Sequence, residues 1–116
     1  MKKLLVVDDD IEILEVLEII LTLRGFDVHT HTSGYNVPHI VSNYMPDLIL
    51  LDISLPEKSG TEICKELKII YPIPIILFSA RFNAEQAYAG CKADGFITKP
   101  FDLTELLNLI NIHRIR

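Results

Sequence analysis

Residues with chemistry to offer stand directly after short apolar runs: Asp8 and Asp9 after LLVV, Asp52 after LILL, Ser79 after IILF, and Thr98 and Lys99 at the close of FIT. Carboxylates gathered in one place repel one another, and such a cluster persists only when a cation or protons neutralise it. Asp8, Asp9 and Asp52 together therefore imply a hard divalent ion. Magnesium suits so sparse a set better than calcium, because it keeps several waters and is commonly held by one or two carboxylates plus a phosphate. A lysine and a hydroxyl opposite that ion supply positive charge and a donor for the outer oxygens of a phosphoryl group. The chemistry these residue types point to is phosphoryl transfer.

Singly, each residue has a plainer role. Three acids before a helix cap it and favour its dipole, which remains the role of Asp10; Asp52 would do as a turn residue, Ser79 as a cap and Lys99 as a solvated cation. Their joint placement outweighs those roles. In open α/β sheets ligands bind outside the carboxyl ends of the strands, and four of the five apolar runs deliver such residues to that edge.

The elements that must position them are set by the hydrophobic period. Short apolar runs at 4–7, 26–30, 48–51, 73–78 and 96–98 alternate with longer segments of helical spacing, the pattern of a repeated βα unit. Most runs are apolar on both faces, as strands covered by helices on two sides must be. Asp10 caps a first helix that turns Ile13, Leu17, Ile20 and Leu21 inward and is closed by Arg24 and Gly25. A short second helix over 37–44 takes Pro38 in its first turn. The third, 59–70, turns Ile63, Leu67 and Ile70 inward, and a fourth spans 84–91. Asp102 and Glu105 form a capping-box-like pair ahead of Leu103, Leu106, Leu107 and Ile110 on the last helix. Five such units with right-handed crossovers make an open, doubly wound parallel sheet in a three-layer α/β sandwich; a closed barrel needs more chain.

The 116 residues suit one domain, 1–116, with no attached output module expected. A formal charge of −5 argues against a nucleic-acid surface, and His113, Arg114 and Arg116 read as helix-end charge. Cys64 and Cys91 lack CxxC spacing and a metal-ligand pattern, so reduced thiols in a reducing compartment are expected. The apolar run in MKKLLVVDDD is too short for a signal peptide and no stretch approaches a membrane span, so the expected setting is cytoplasmic.

The chain resembles response regulator receiver domains of bacterial two-component systems, the CheY-like family. The resemblance runs from Lys3 to about Ile115, on LLVVDDD at 4–10, PDLILLDISLPEKSG at 46–60, PIILFSA at 74–80 and DGFITKPF at 94–101. It implies a flavodoxin-like (βα)5 fold with strand order 2-1-3-4-5. It also implies that Asp52 is the phosphoacceptor, that Asp9 binds Mg2+ directly with Asp8 assisting through water, and that the Ser54 carbonyl completes the protein ligands. Lys99 would pair with the phosphoryl group across a cis Lys99-Pro100 peptide. Ser79 and Phe96 would form the switch, while Ser54 and Arg81, two beyond the acceptor and the hydroxyl, would tune the phosphoryl lifetime.

A sensor histidine kinase or histidine phosphotransfer protein is the implied donor. Signalling, and a possible homodimer, would use the face made by the 84–91 helix, the fifth strand and the last helix, where Leu109 and Ile112 flank the inward stripe. Around that face the sequence departs from the family pattern: Phe96 replaces the commoner tyrosine, Lys92 stands where glycine is usual, and the span from Ser79 to Phe96 is about two residues short. Two other readings compete. A haloacid-dehalogenase-type phosphatase would need a DxD pair, whereas Ser54 stands two beyond Asp52. A receiver-like interaction module independent of phosphorylation would be expected to lose an acid or the lysine. The expectation is a switch that phosphorylates and dephosphorylates itself, not an enzyme turning over a separate substrate.

Overall fold

The computed structural model describes residues 2–79 and 90–113. The elements run β1 (Lys3–Val7), α1 (Ile11–Leu23), β2 (Asp27–His31), α2 (Val37–Tyr44), β3 (Leu48–Asp52), α3 (Gly60–Ile70), β4 (Ile75–Ser79), β5 (Gly95–Thr98) and α4 (Leu103–His113). The strands form one parallel sheet in the order β2-β1-β3-β4-β5, a doubly wound flavodoxin-like sandwich with four helices among the described residues. The helix expected over 84–91 lies outside the described residues except for Gly90 and Cys91, which are helical.

The alternation of strand side chains divides the core in two. Leu5, Val7, Ile49, Leu51, Ile75 and Leu77 face α2 and α3. Leu4, Val6, Leu48, Leu50, Ile76 and Phe78 face α1 and α4. Each such fully buried side chain is worth roughly 1.5–3 kcal/mol of hydrophobic stabilisation, so β1, β3 and β4 form the rigid middle. Edge strand β2 differs: it reads DVHTH and has no fully buried residue, as an edge with one face in water allows.

Two inward stripes are shifted from the expected ones. In α1 the buried residues are Leu14, Leu17 and Leu21, while Ile13 and Ile20 lie at the flank and are partly buried. In α3, Ile63, Cys64 and Leu67 are buried, but Ile70 is 65% exposed. Ile70 occupies the last turn, beyond which Tyr71 turns extended and the chain leaves the helix. Leu106 and Ile110 anchor α4, Leu109 is partly buried and Ile112 exposed.

Candidate functional site

The site is built by strands ending and chain turning at the carboxyl edge. After β1, the Asp10 carboxylate accepts from the Glu12 amide at 3.0 Å and caps α1. The same turn delivers the Asp10 amide to Oδ1 of Asp8 at 2.8 Å, which fixes the Asp8 side chain. Asp9, next in the chain, remains exposed at the mouth. After β3, the Ser54 amide donates to Oδ1 of Asp52 at 3.1 Å, and the Ile53 amide reaches across to the carbonyl of Phe78.

Gly60 then closes that loop, its amide donating to the Ile53 carbonyl at 2.9 Å. A Cβ at Gly60 would fall 2.2 Å from the Asp52 carbonyl oxygen, so only glycine allows α3 to start this close to the backbone of Asp52. This positioning residue was not singled out from the sequence. The signal available was its place in the SG pair that opens the third helix, which tells of a helix start and nothing of what the backbone touches.

Opposite the acids, the Lys99 amide donates to the Ser79 carbonyl at 2.8 Å, tying the end of β5 to that of β4. The adjoining Lys99-Pro100 peptide is cis, as the resemblance implied. The Lys99 ammonium lies 2.7 Å from Oδ2 of Asp8, 3.4 Å from Oδ2 of Asp52 and 5.0 Å from the centre of the Phe78 ring. One ligand oxygen from each of Asp8, Asp9 and Asp52 lies within 4.8 Å of the others.

Asp8 and Ser79 are 0% exposed and Asp52 is 3% exposed. Polar groups so deeply placed at the rim of an apolar sheet are costly unless charge and hydrogen bonds compensate them. Burial first, and then the Asp8 charge, raise the Asp52 carboxyl to a pKa of about 6, even though the Ser54 amide and the Lys99 ammonium pull the other way. Burial alone would lower the Lys99 ammonium; the hydrogen bond to Asp8 and the charge of Asp52 outweigh it, and the net shift is upward. Among the described residues, three carboxylates cluster with one lysine, Lys99, which contacts Asp8 and Asp52. Oxygen donors at this spacing suit a hard divalent cation.

Most of the expected residues converge here. Phe96 sits on β5, partly buried against the core layer that faces α2 and α3. Ser54 is exposed beside Asp52. Arg81 lies outside the described residues.

The geometry has counterparts. A family model for the response regulator receiver domain matches residues 4–111. The BeF3-activated N-terminal receiver domain of Klebsiella pneumoniae RstA superposes with a TM-score of 0.93 at 27% identity, covering 99% of this chain and 100% of that one. A CheY-like receiver domain protein of Methanospirillum hungatei JF-1 gives 0.90 at 27% identity, over 98% of this chain and 94% of that one. The Vibrio cholerae chemotaxis protein CheY4 gives 0.88 at 25%, over 97% and 98%.

Proposed function

The chain belongs to the response regulator receiver domain family, and from that membership we propose that it is the phosphoacceptor switch of a two-component or phosphorelay system, with Asp52 as acceptor. The observation that carries this reading is the buried Asp52 carboxylate at the end of a central strand, clustered with Asp8 and Asp9 and within reach of the Lys99 ammonium that also holds Asp8. A sensor histidine kinase or histidine phosphotransfer protein is the class of partner that family membership implies.

An Asp52 oxygen attacks the phosphorus of a phosphohistidine in line, the P–N bond breaks, and the imidazole leaves with the electron pair; the product is an acyl phosphate. The Ser54 amide on Oδ1 holds the carboxylate in one rotamer. Lys99, already within reach of Asp52 and fixed by Asp8, balances charge on the transferred group. Asp8, Asp9, Asp52 and the Ser54 carbonyl would hold Mg2+, which when bound neutralises developing charge on phosphoryl oxygens. Ser79 then turns its hydroxyl to the phosphoryl group and Phe96 moves inward after it, changing the face of β5 and α4, the surface proposed for signalling and for a homodimer. Hydrolysis at the same centre resets the switch, at a rate tuned by Ser54 and Arg81, so the chain acts on itself and not on a separate substrate.

Calorimetry with beryllofluoride, which mimics the bound phosphoryl group, tests this. Saturable binding that requires Mg2+ and disappears in Asp52→Asn is expected; equal binding by that variant would contradict the assignment.

A further inference from the structure

Both cysteines are absent from the proposed phosphoryl chemistry, yet the fold brings them together. Cys64 on α3 and Cys91, 27 positions later, are 0% and 1% exposed in the same core layer, and Sγ of Cys64 donates to the Cys91 carbonyl at 3.4 Å. Beside them opens a cavity of about 430 Å³ lined by Lys65, Lys68, Ile69, Gly90, Cys91 and Lys92. We propose that Cys64 and Cys91 form a dithiol modification site, which an anionic low-molecular-weight disulfide entering this lysine-rimmed cavity converts to an intramolecular disulfide.

The two thiols have different places in the exchange. Cys91 lines the cavity, whose lysines Lys65, Lys68 and Lys92 favour an anionic reagent. Cys64 lies further in; burial, and next a hydrogen bond with Cys91, push its thiol well above the ordinary range, so it attacks only once a base has taken its proton. The Cys91 thiolate attacks one sulfur of the incoming disulfide, whose S–S bond breaks and releases one thiolate. The Cys64 sulfur, yielding its proton to that thiolate, then attacks Sγ of Cys91 and displaces the second thiol. The protein dithiol is oxidised and the incoming disulfide is reduced to its two thiols.

The consequence falls on the segment between Cys91 and β5. Lys92 is left-handed at φ 61°, and Asp94 holds Lys68 at 2.8 Å and the Ile75 amide at 2.8 Å before the chain enters β5. A bond from α3 to Cys91 therefore fastens the stretch that leads to Phe96. It does so whether or not Asp52 accepts a phosphoryl group.

The test is intact mass and thermal midpoint of the native chain after exposure to oxidised glutathione without denaturant. The expected result is a mass lower by the hydrogens of both thiols, reversed by dithiothreitol, with a midpoint raised by about 10 °C through closure of this loop. In Cys64→Ala a glutathione adduct should stay on Cys91. An unchanged mass, glutathione adducts persisting on the native chain, a bond that forms only in guanidinium, or an unmodified Cys91 in Cys64→Ala would overturn the proposal.

Discussion

The bodies of the central strands and their carboxyl rim are equally buried and oppositely built. Leu4 to Val7, Leu48 to Leu51 and Ile75 to Phe78 are apolar and at most 1% exposed; one step along the same strands stand Asp8, Asp52 and Ser79, also at most 3% exposed. The bodies gain stability from burial and the rim loses some to it. A charged group at the end of a rigid, fully packed strand has its position set by neighbours on both sides, and its desolvation is what raises the Asp52 carboxyl above its ordinary range.

The sharpest way to break the contrast is to damage a body. Leu50→Ala should lower stability by about 2–5 kcal/mol in urea unfolding, since the central strand cannot collapse into the cavity.

At the rim, removal of charge should do the reverse. The folded pKa of Asp52, about 6, exceeds its ordinary 3.8. The folded form therefore binds the proton more tightly, and ionisation costs nothing below pH 3.8. The cost grows as pH rises through that window and is complete above about pH 6. It approaches about 3 kcal/mol from the size of the shift. In metal-free buffer Asp52→Asn should gain most of this at pH 7.5 and little at pH 4, measured by urea midpoints. Mg2+ should raise the native midpoint and not that of Asp9→Ala.

The join between body and rim is Gly60. Gly60→Ala forces a methyl against the Asp52 carbonyl and should cost about 1–3 kcal/mol in the same measurement. Smallest is Lys92→Gly, far from the rim, which relieves a left-handed lysine and should raise the thermal midpoint by an amount worth about 1 kcal/mol.

The same contrast explains what could be read in advance. An apolar run ending in a polar residue is written locally, so all five strands and the carboxylates, hydroxyl and lysine at their ends were legible, each boundary within about two residues. Three things were not. Helix faces depend on where the sheet stops as well as on period: Ile70 falls on the arc of Ile63 and Leu67 yet lies in the last turn, whereas Cys64 sits at the middle of the contact. Close approach of backbones, as at Gly60 and at Gly34 beside the Lys58 carbonyl, is a property of two distant segments that neither sequence announces. The sequence set Lys99 against a phosphoryl group but not against Asp8, its nearest partner at 2.7 Å and 91 positions away, because a direct ion pair depends on side-chain positions and not on strand order alone.

The central claim is that Asp52 takes a phosphoryl group, and intact mass after incubation with acetyl phosphate and Mg2+ tests it most directly, with Asp52→Asn in parallel. The account predicts one added phosphoryl group, about 80 Da by ordinary mass arithmetic, that requires Mg2+ and is lost in the variant because an amide cannot form the acyl phosphate. The same adduct on Asp52→Asn, or none on the native chain together with no beryllofluoride binding, would contradict it.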